Sequence, residues 1–265
     1  MIDLHSHVLH GVDDGAQDLE QALRMCRLAH DDGVTMLVAT PHLRHERYWN
    51  DDAQRIKNRF DELRRAVEQE FAGAFKVFLG GEIAVSGPAL DEIDHFSASG
   101  LQSLAGSRYL LLEPNFHAMG PDPVEMIYEL VLAGWRPVVA HPERISWLVS
   151  DFGLLGAMVS HGALLQVTAM SLTGAFGRDI QEACQAMVEH GWVYYVASDA
   201  HDERLRPPLL SEARREVAQI WGEVSAVTFF EDGPRAVIED RAPVPVPKTT
   251  GPSTEPWWRR WLPPA

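Results

Sequence analysis

The chain has 265 residues, 46% of them apolar, and a formal net charge of −15. That length suits one large α/β domain with a sizeable core. The acidic balance, with no extended basic run, argues against general nucleic-acid binding, which depends on Lys and Arg neutralising phosphates. A local basic pocket for one phosphate stays open.

Two cysteines, Cys26 and Cys184, lie in different helical patterns and form neither a disulfide framework nor a CxxC pair. A Cys-x5-Arg phosphatase loop would need Arg six residues after the nucleophile, but positions 32 and 190 are Asp32 and His190. A cysteine nucleophile of that kind is not expected. No signal peptide precedes His5, and no apolar run is long enough to span a bilayer. A reducing cytoplasm is the expected location.

The first seven residues, Met1 to His7, end an apolar run in two histidines spaced i, i+2. On a strand these point to one face, so His5 and His7 would aim both imidazoles at one spot. A loop with two Gly and two Asp follows, from Val8 to Ala16. Asp18 to Asp32 reads as an amphipathic helix closed by Gly33. Thr35 to Thr40 is a nearly unbroken apolar strand, as in a parallel sheet buried on both faces, and it ends at Pro41-His42. Asp51 to Phe71 is a charged helical pattern. Phe75 to Leu79 is a strand ending at Gly80-Gly81-Glu82, and Pro88 to Phe96 a short helix.

Tyr109 to Leu112 is a strand ending at Glu113-Pro114, and Pro123 to Ala133 a helix capped by Gly134. Pro137 to Ala140 leads into His141-Pro142. Residues 151–161 form a helix, Leu164 to Val167 a strand, and residues 178–190 a helix closed by Gly191. Tyr194 to Ala197 ends at Ser198-Asp199-Ala200-His201. Residues 209–240 read as two closing helices with a turn at Gly233-Pro234. Seven strands alternating with helices imply parallel βαβ units. The expected fold is an α/β (β/α)7 barrel, TIM-like, closed or distorted rather than an open sheet, because functional groups follow nearly every strand. From Ala242 the composition turns Pro- and Trp-rich, so residues 1–241 are expected as the domain and 242–265 as a flexible tail.

Strand ends carry His5, His7, His42, Glu82, Glu113, His141, Asp199 and His201, and Asp14 joins from the first loop. Five imidazoles and four carboxylates exceed what one metal needs. With no thiolate among them they suit Mn, Fe or Zn. Several metals sharing a carboxylate would polarise a phosphoryl oxygen and generate hydroxide near neutral pH. Taken singly, each is as well explained by a hydrogen-bonded strand end; the ordered set is not. His30, His161 and His190, near helix C-termini, suit solvated or dipole-complementing roles.

Arg144 and Arg206 follow His141 and His201 on loops at the barrel mouth, where guanidinium forks suit phosphate. A salt bridge from Arg144 to Glu143, and bracing of the Pro207-Pro208 turn by Arg206, are the alternatives. Arg44 and Arg47 read as solvated. Tyr48, Trp49, Phe116 and Met119 would either line a slot for a phenyl ring or pack the loops.

In order along the chain, His5-Ser6-His7, Val12-Asp13-Asp14-Gly15, Pro41-His42, Gly81-Glu82, Leu112-Glu113, His141-Pro142-Glu143-Arg144 and Ser198-Asp199-Ala200-His201 followed by Arg206-Pro207-Pro208 resemble the PHP (polymerase and histidinol phosphatase) superfamily. Within it they resemble the manganese-dependent bacterial protein-tyrosine phosphatases of capsule and exopolysaccharide operons. His-x-His alone is loose; the ordered set is specific, and it covers about residues 1–240. Other branches often have His where this chain has Asp14 and Glu113.

The resemblance implies a trinuclear Mn2+ site. His5, His7, Glu82 and Asp199 would hold one ion, bridging Glu82 with Glu113 and His141 a second, and Asp14, His42 and His201 the third. It also implies Arg144 and Arg206 on phosphate beside Asp199 as the catalytic set, with a metal-bound hydroxide attacking phosphotyrosine. The implied partner is the tyrosine-rich tail of a membrane-anchored tyrosine kinase controlling polysaccharide export. Rival readings are a PHP phosphatase of a small ester such as histidinol phosphate, and a PHP regulatory module without turnover. Trp257, Trp258 and Trp261 beside Arg259 and Arg260 resemble an interfacial anchor giving the tail a peripheral membrane contact.

Overall fold

Among the described residues nine short parallel strands build two sheets, broken where the apolar runs break. The computed structural model describes residues 1–85, 103–115 and 122–247. The helix expected at Pro88 to Phe96, Phe116, Met119 and the sequence from Lys248 on lie outside them. In chain order the elements open with β1 (Ile2–Ser6), α1 (Leu19–Asp31), β2 (Met36–Ala39), β3 (His42–Leu43), α2 (Ala53–Phe71), β4 (Lys76–Leu79) and β5 (Glu82–Val85). There follow β6 (Tyr109–Pro114), α3 (Pro123–Leu132), β7 (Arg136–Ala140), α4 (Ser146–Val149), α5 (Phe152–Ser160), β8 (Leu164–Thr168), α6 (Ala169–Leu172), α7 (Arg178–Glu189) and β9 (Val193–Ala197). Three helices close the chain: α8 (Ser211–Trp221), α9 (Glu223–Val227) and α10 (Gly233–Ile238).

One sheet runs β1-β2-β4 and the other β3-β5-β6-β7-β8-β9. Two short strands, β3 and β5, come in addition to the seven expected, each continuing an expected strand after a break. Thr40-Pro41 separates β2 from β3, since proline cannot donate to a ladder, and Gly80-Gly81 separates β4 from β5. Single hydrogen bonds bridge the interruptions, from Gly80 N to Ala39 O at 2.9 Å and from Glu82 N to Pro41 O at 3.1 Å. On the far side, Ser6 pairs with Ala200 in a parallel bridge. There His7 N donates to Ala200 O and Asp199 N to His5 O, both at 2.8 Å. The result is the expected distorted α/β barrel, with every paired strand parallel.

Helix ends follow their sequence signals. Asp18 caps α1 through Gln21 N and Asp52 caps α2 through Arg55 N, while Asp122 caps α3 with Pro123 in its first turn. The closing segment differs from expectation. Its break lies at Gly222 (φ 88°), and the chain from Glu223 to Ile238 stays helical through a π-helical turn at Thr228–Asp232. Gly233 is therefore no turn. It is where this helix crosses β9, and a Cβ there would sit 2.9 Å from the carbonyl oxygens of Tyr194 and Thr228. The wider turn accommodates Pro234 at the start of α10.

Side chains of the inner cluster come mainly from the strands, among them Leu4, Val38, Tyr109, Leu111, Val138, Tyr194 and Tyr195. A larger cluster fills the space between strands and helices. Alternation then sets the site: Tyr109, Leu111 and Glu113 share one face of β6, with the first two in the inner core and the third at its upper end. Beyond Arg241 the chain has no regular structure to residue 247, but Val244 and Val246 pack against the inner cluster. Val244 N donates to Tyr194 Oη at 3.3 Å.

Candidate metal centre

All nine expected donors meet at the upper end of the barrel. They fall into four overlapping groups whose ligand atoms lie within 4.8 Å of one another. These are His7, Asp14, His42 and His201; His5, Glu82 and His141; His5, His7 and Asp199; and His42, Glu82 and Glu113. All are buried except Asp14, whose side chain is 47% exposed. Register explains part of this convergence, since His42 on β3 pairs directly with Glu82 on β5.

The hydrogen-bond pattern fixes what several of these rings can offer. His5 Nδ1 lies 3.0 Å from Gln166 Oε1. That oxygen already accepts from His141 N, and an amide oxygen cannot donate, so His5 Nδ1 must carry the proton. His7 Nδ1 faces the Asp13 carboxylate at 2.8 Å, and His201 Nδ1 the Asp199 carbonyl at 3.0 Å. In the neutral rings all three therefore turn an Nε2 lone pair toward the cluster. His5 Nε2 and His7 Nε2 face each other at 3.3 Å. Two such lone pairs repel unless a cation lies between them. Glu82 Oε2 and Glu113 Oε2 are buried without a hydrogen bond, although His42 Nδ1 lies 3.0 and 3.4 Å away. The donor set fits metal ions.

Electrostatics agree. Burial disfavours charge on His5 and His7, yet Glu82, Asp199 and Asp13 raise both above the usual imidazole range. His42 is raised to about 10: burial and His7 oppose its charge, but Glu82 and Glu113 outweigh them. Burial likewise disfavours charge on Glu82 and Asp199, and the surrounding imidazoles, with Arg206 beside Asp199, hold both well below the carboxylate range. The carboxylates that favour charge on these imidazoles would favour a bound cation equally. The backbone pays a cost as well: His141 (φ 33°) and Asp199 (φ 52°) both adopt left-handed conformations.

Supporting residues are where sequence reasoning fell short. Asp13, counted only as part of a motif, accepts from His7 Nδ1, His42 N at 3.0 Å and Gly15 N at 3.0 Å, tying β1, β3 and the Asp14 loop together. Gly15 is obligatory there, because a Cβ would fall 1.8 Å from His7 O. Asp3 accepts from Ser198 N at 3.0 Å and Ser198 Oγ at 2.6 Å, fixing β9 against β1. Gln166 joins β7 to β8, and Glu143 accepts from Thr168 N at 2.9 Å. Asp3 in IDLHS and Gln166 in LLQVT are polar residues set directly between two large apolar ones in a strand, a signal that was available in the sequence.

Arg144 does not pair with Glu143, which turns inward. Its Nη1 donates to Asp199 Oδ2 at 2.5 Å, and Arg206 Nη2 donates to the same oxygen. Two guanidinium groups thus share one carboxylate, and both are partly exposed, at 21% and 24%. Both arginines line an open cleft of about 510 Å³, together with cluster residues and with Arg44, His45, Tyr48 and Trp49. Both cysteines are buried; burial pushes the Cys26 thiol up to about 12 and the Cys184 thiol well above its usual value. Neither is a thiolate at neutral pH. At a helix end, His161 Nδ1 lies 2.8 Å from the Ala157 carbonyl, the dipole-complementing role expected of it.

Barrel, donor cluster and arginines together are those of a metal-dependent hydrolase. The chain belongs to the family described as capsular polysaccharide synthesis, CpsB/CapC, which matches residues 1–239. It is 33% identical over 207 residues to the tyrosine-protein phosphatase YwqE of Bacillus subtilis, covering 78% of this chain and 79% of that one. With the tyrosine-protein phosphatase CpsB of Streptococcus pneumoniae it shares 27% over 246 residues, 91% of this chain and 99% of the other. One of the crystal structures of YwqE and CpsB, described as unique metal-dependent tyrosine phosphatases, superposes with a TM-score of 0.85 at 27% identity. It covers 96% of this chain and 100% of that one.

Proposed function

We propose that the chain is a metal-dependent protein-tyrosine phosphatase acting through the strand-end cluster. The observation that carries this is the convergence of nine donors with two arginines on one open cleft. The ions assigned are three Mn2+, with Fe or Zn as the other fits for such donors. His5, His7, Glu82 and Asp199 form the first set, with His5 Nε2 3.3 Å from both Glu82 and Asp199, and His7 Nε2 3.4 and 3.5 Å from them. Asp14 with His42 and His201, at 3.6 and 3.5 Å, form the second. Glu82 with His141 (2.9 Å) and Glu113 (3.9 Å from His141) form the third; His42 Nδ1 is the nearer imidazole to Glu113.

Bound metals supply charge against the phosphoryl oxygens and a water of lowered pKa. The chain's own residues do the rest. Arg144 and Arg206 grip the phosphate oxygens and meet the charge that develops on them. Asp199 aligns both guanidinium groups through one oxygen. Asp13, Gln166 and the Asp199 carbonyl hold three imidazoles in the tautomer the metals need. Tyrosine's phenolate, with an ordinary pKa of about 10, is a tolerable leaving group. No cysteine takes part.

The substrate assigned is the phosphorylated tail of a membrane-anchored bacterial tyrosine kinase controlling polysaccharide export, met in the cytoplasm. The family's link to capsule synthesis supports this. Among the described residues no helix is long and apolar enough to cross a membrane. Residues 1–241 are assigned as the phosphatase unit and 242–265 as an appended segment for peripheral membrane contact. Because Val244 and Val246 pack on the barrel, a truncation testing that segment should follow Pro247.

The test compares a phosphotyrosine peptide with histidinol phosphate, with and without chelator, in the wild type and in the Cys26→Ala, Cys184→Ala double variant. Chelator-sensitive turnover of the peptide, kept in the double variant, is expected. Preference for histidinol phosphate would make the protein a small-ester phosphatase, and turnover of neither would make it a regulatory module.

A further inference from the structure

The segment between β3 and α2 is folded tightly before any side chain is considered. Arg44 N donates to Trp49 O at 2.9 Å and Tyr48 N to His45 O at 3.0 Å. Asn50 Nδ2 ties the loop down, donating to Val12 O at 3.0 Å and His42 O at 2.8 Å. Arg44 (φ 58°) and Asn50 (φ 48°) take the left-handed conformations that close it. The backbone and the Asn50 side chain thus hold the loop without help from its rings.

Those rings form a stair leading out of the site. His42 and His45 stack with centroids 4.7 Å apart and planes 29° from parallel. Tyr48 lies 5.8 Å from His45 at 24°, and 5.9 Å from His42 at only 5°. Trp49 stands beside them, 51% exposed, with the Arg44 guanidinium carbon 5.1 Å from its ring centroid. A loop packing its aromatics for stability would bury the largest of them. Here the largest stays in solvent, and all line the cleft that holds Arg144 and Arg206.

A phosphate ester of an aromatic alcohol matches this layout. Its anionic end would take the two arginines that line the cleft, and its ring the aromatic side chains that line it with them. We propose that Tyr48 and Trp49 form an aryl subsite that selects aromatic over aliphatic phosphate monoesters, an inference that rests on the phosphatase reading above. Offset stacking is favourable at ring centroids about 4.5–7 Å apart. Phosphoserine brings no ring, and its short side chain would hold its peptide backbone against the rim.

The test uses the full-length, metal-loaded protein and two peptides of identical sequence apart from phosphotyrosine or phosphoserine. In Tyr48→Leu and in Trp49→Leu, kcat/KM for the phosphotyrosine peptide should fall roughly three- to tenfold. Most of that fall should be in KM. The phosphoserine value should stay level, and Tyr48→Phe should restore the aryl preference. Equal losses for both peptides, or none for either, would overturn the subsite. Metal content is measured on every variant; if Tyr48→Leu loses metal through its contact with His42, Trp49→Leu decides. Calorimetric binding of a peptide carrying phosphonomethyl-phenylalanine, a non-hydrolysable mimic, is read in parallel. If the wild type turns over neither peptide, the phosphatase reading fails. The subsite then stands only if both leucine variants weaken that binding by the same three- to tenfold.

Discussion

Where the strands begin, at the lower end of the barrel, Tyr109 and Tyr194 stack 6.2 Å apart with planes 6° from parallel. Tyr109 Oη donates to Arg241 O at 2.8 Å, and Asp240 accepts from Arg108 N at 3.0 Å, Arg108 Nε at 2.9 Å and Arg136 Nη1 at 3.2 Å. Every partner named there is hydrogen-bonded, and the closing segment is clasped to the start of the strands. Where the strands end, the Nε2 atoms of His5 and His7 face one another at 3.3 Å, buried carboxylate oxygens lack hydrogen bonds, and His141 and Asp199 sit in left-handed conformations. One end of the scaffold serves stability; the other gathers buried ionisable groups and left-handed backbone where function is expected.

Removing the centre of the upper end should have the largest effect. Glu82 lies within 3.4 Å of His5, His7, His42 and His141. Glu82→Ala should lose bound metal and more than about 100-fold in turnover, since even outer-shell changes at metal sites cost 10–100-fold. Metal analysis and steady-state kinetics read both. Next, Arg144→Ala and Arg206→Ala should each lower turnover roughly 10²–10³-fold with metal content intact. Arg144→Lys should not rescue, because an ammonium lacks the fork.

How far the sequence reveals this contrast depends on residue type. The nine donors were legible because His, Asp and Glu repeatedly follow apolar runs, a placement that needs no knowledge of which strands pair. Seven strands were legible for the same reason, but the continuation of two of them as β3 and β5 was not. Whether Pro41 and Gly80-Gly81 end a strand or only interrupt it depends on the neighbour that continues the ladder, here β5 beside β3 and β6 beside β5. Asp13 was hidden beside Asp14: the two are chemically alike, and only the fold turns the first inward to His7 and the second toward solvent. The continuous closing helix escaped because Gly233-Pro234 signals a turn locally, while close contact with the Tyr194 carbonyl is tertiary.

pH sharpens the comparison further. In metal-free protein the folded-state pKa of His42 is about 10, against about 6.5 in an unfolded chain. A raised imidazole pKa stabilises fully below the unfolded value and is lost as pH rises through the folded one. Chelated protein should therefore lose thermal stability from about pH 6.5 toward pH 10, and metal-loaded protein should not. Melting curves across that range, with and without chelator, distinguish the two; parallel curves would contradict it. The smallest effect belongs to the lower end. Asp240→Ala should cost about 1 kcal/mol, a fall of about 2–4 °C in Tm, with turnover at 25 °C unchanged.

The central claim is that the strand-end cluster is a multinuclear metal site that hydrolyses phosphotyrosine without cysteine. Its most direct test is titration of Mn2+ into chelator-stripped protein while following turnover of a phosphotyrosine peptide. Activity should be absent at the start, rise with added Mn2+, and level off near three ions per chain. Full turnover in the stripped protein, or none at saturating Mn2+, would contradict the account.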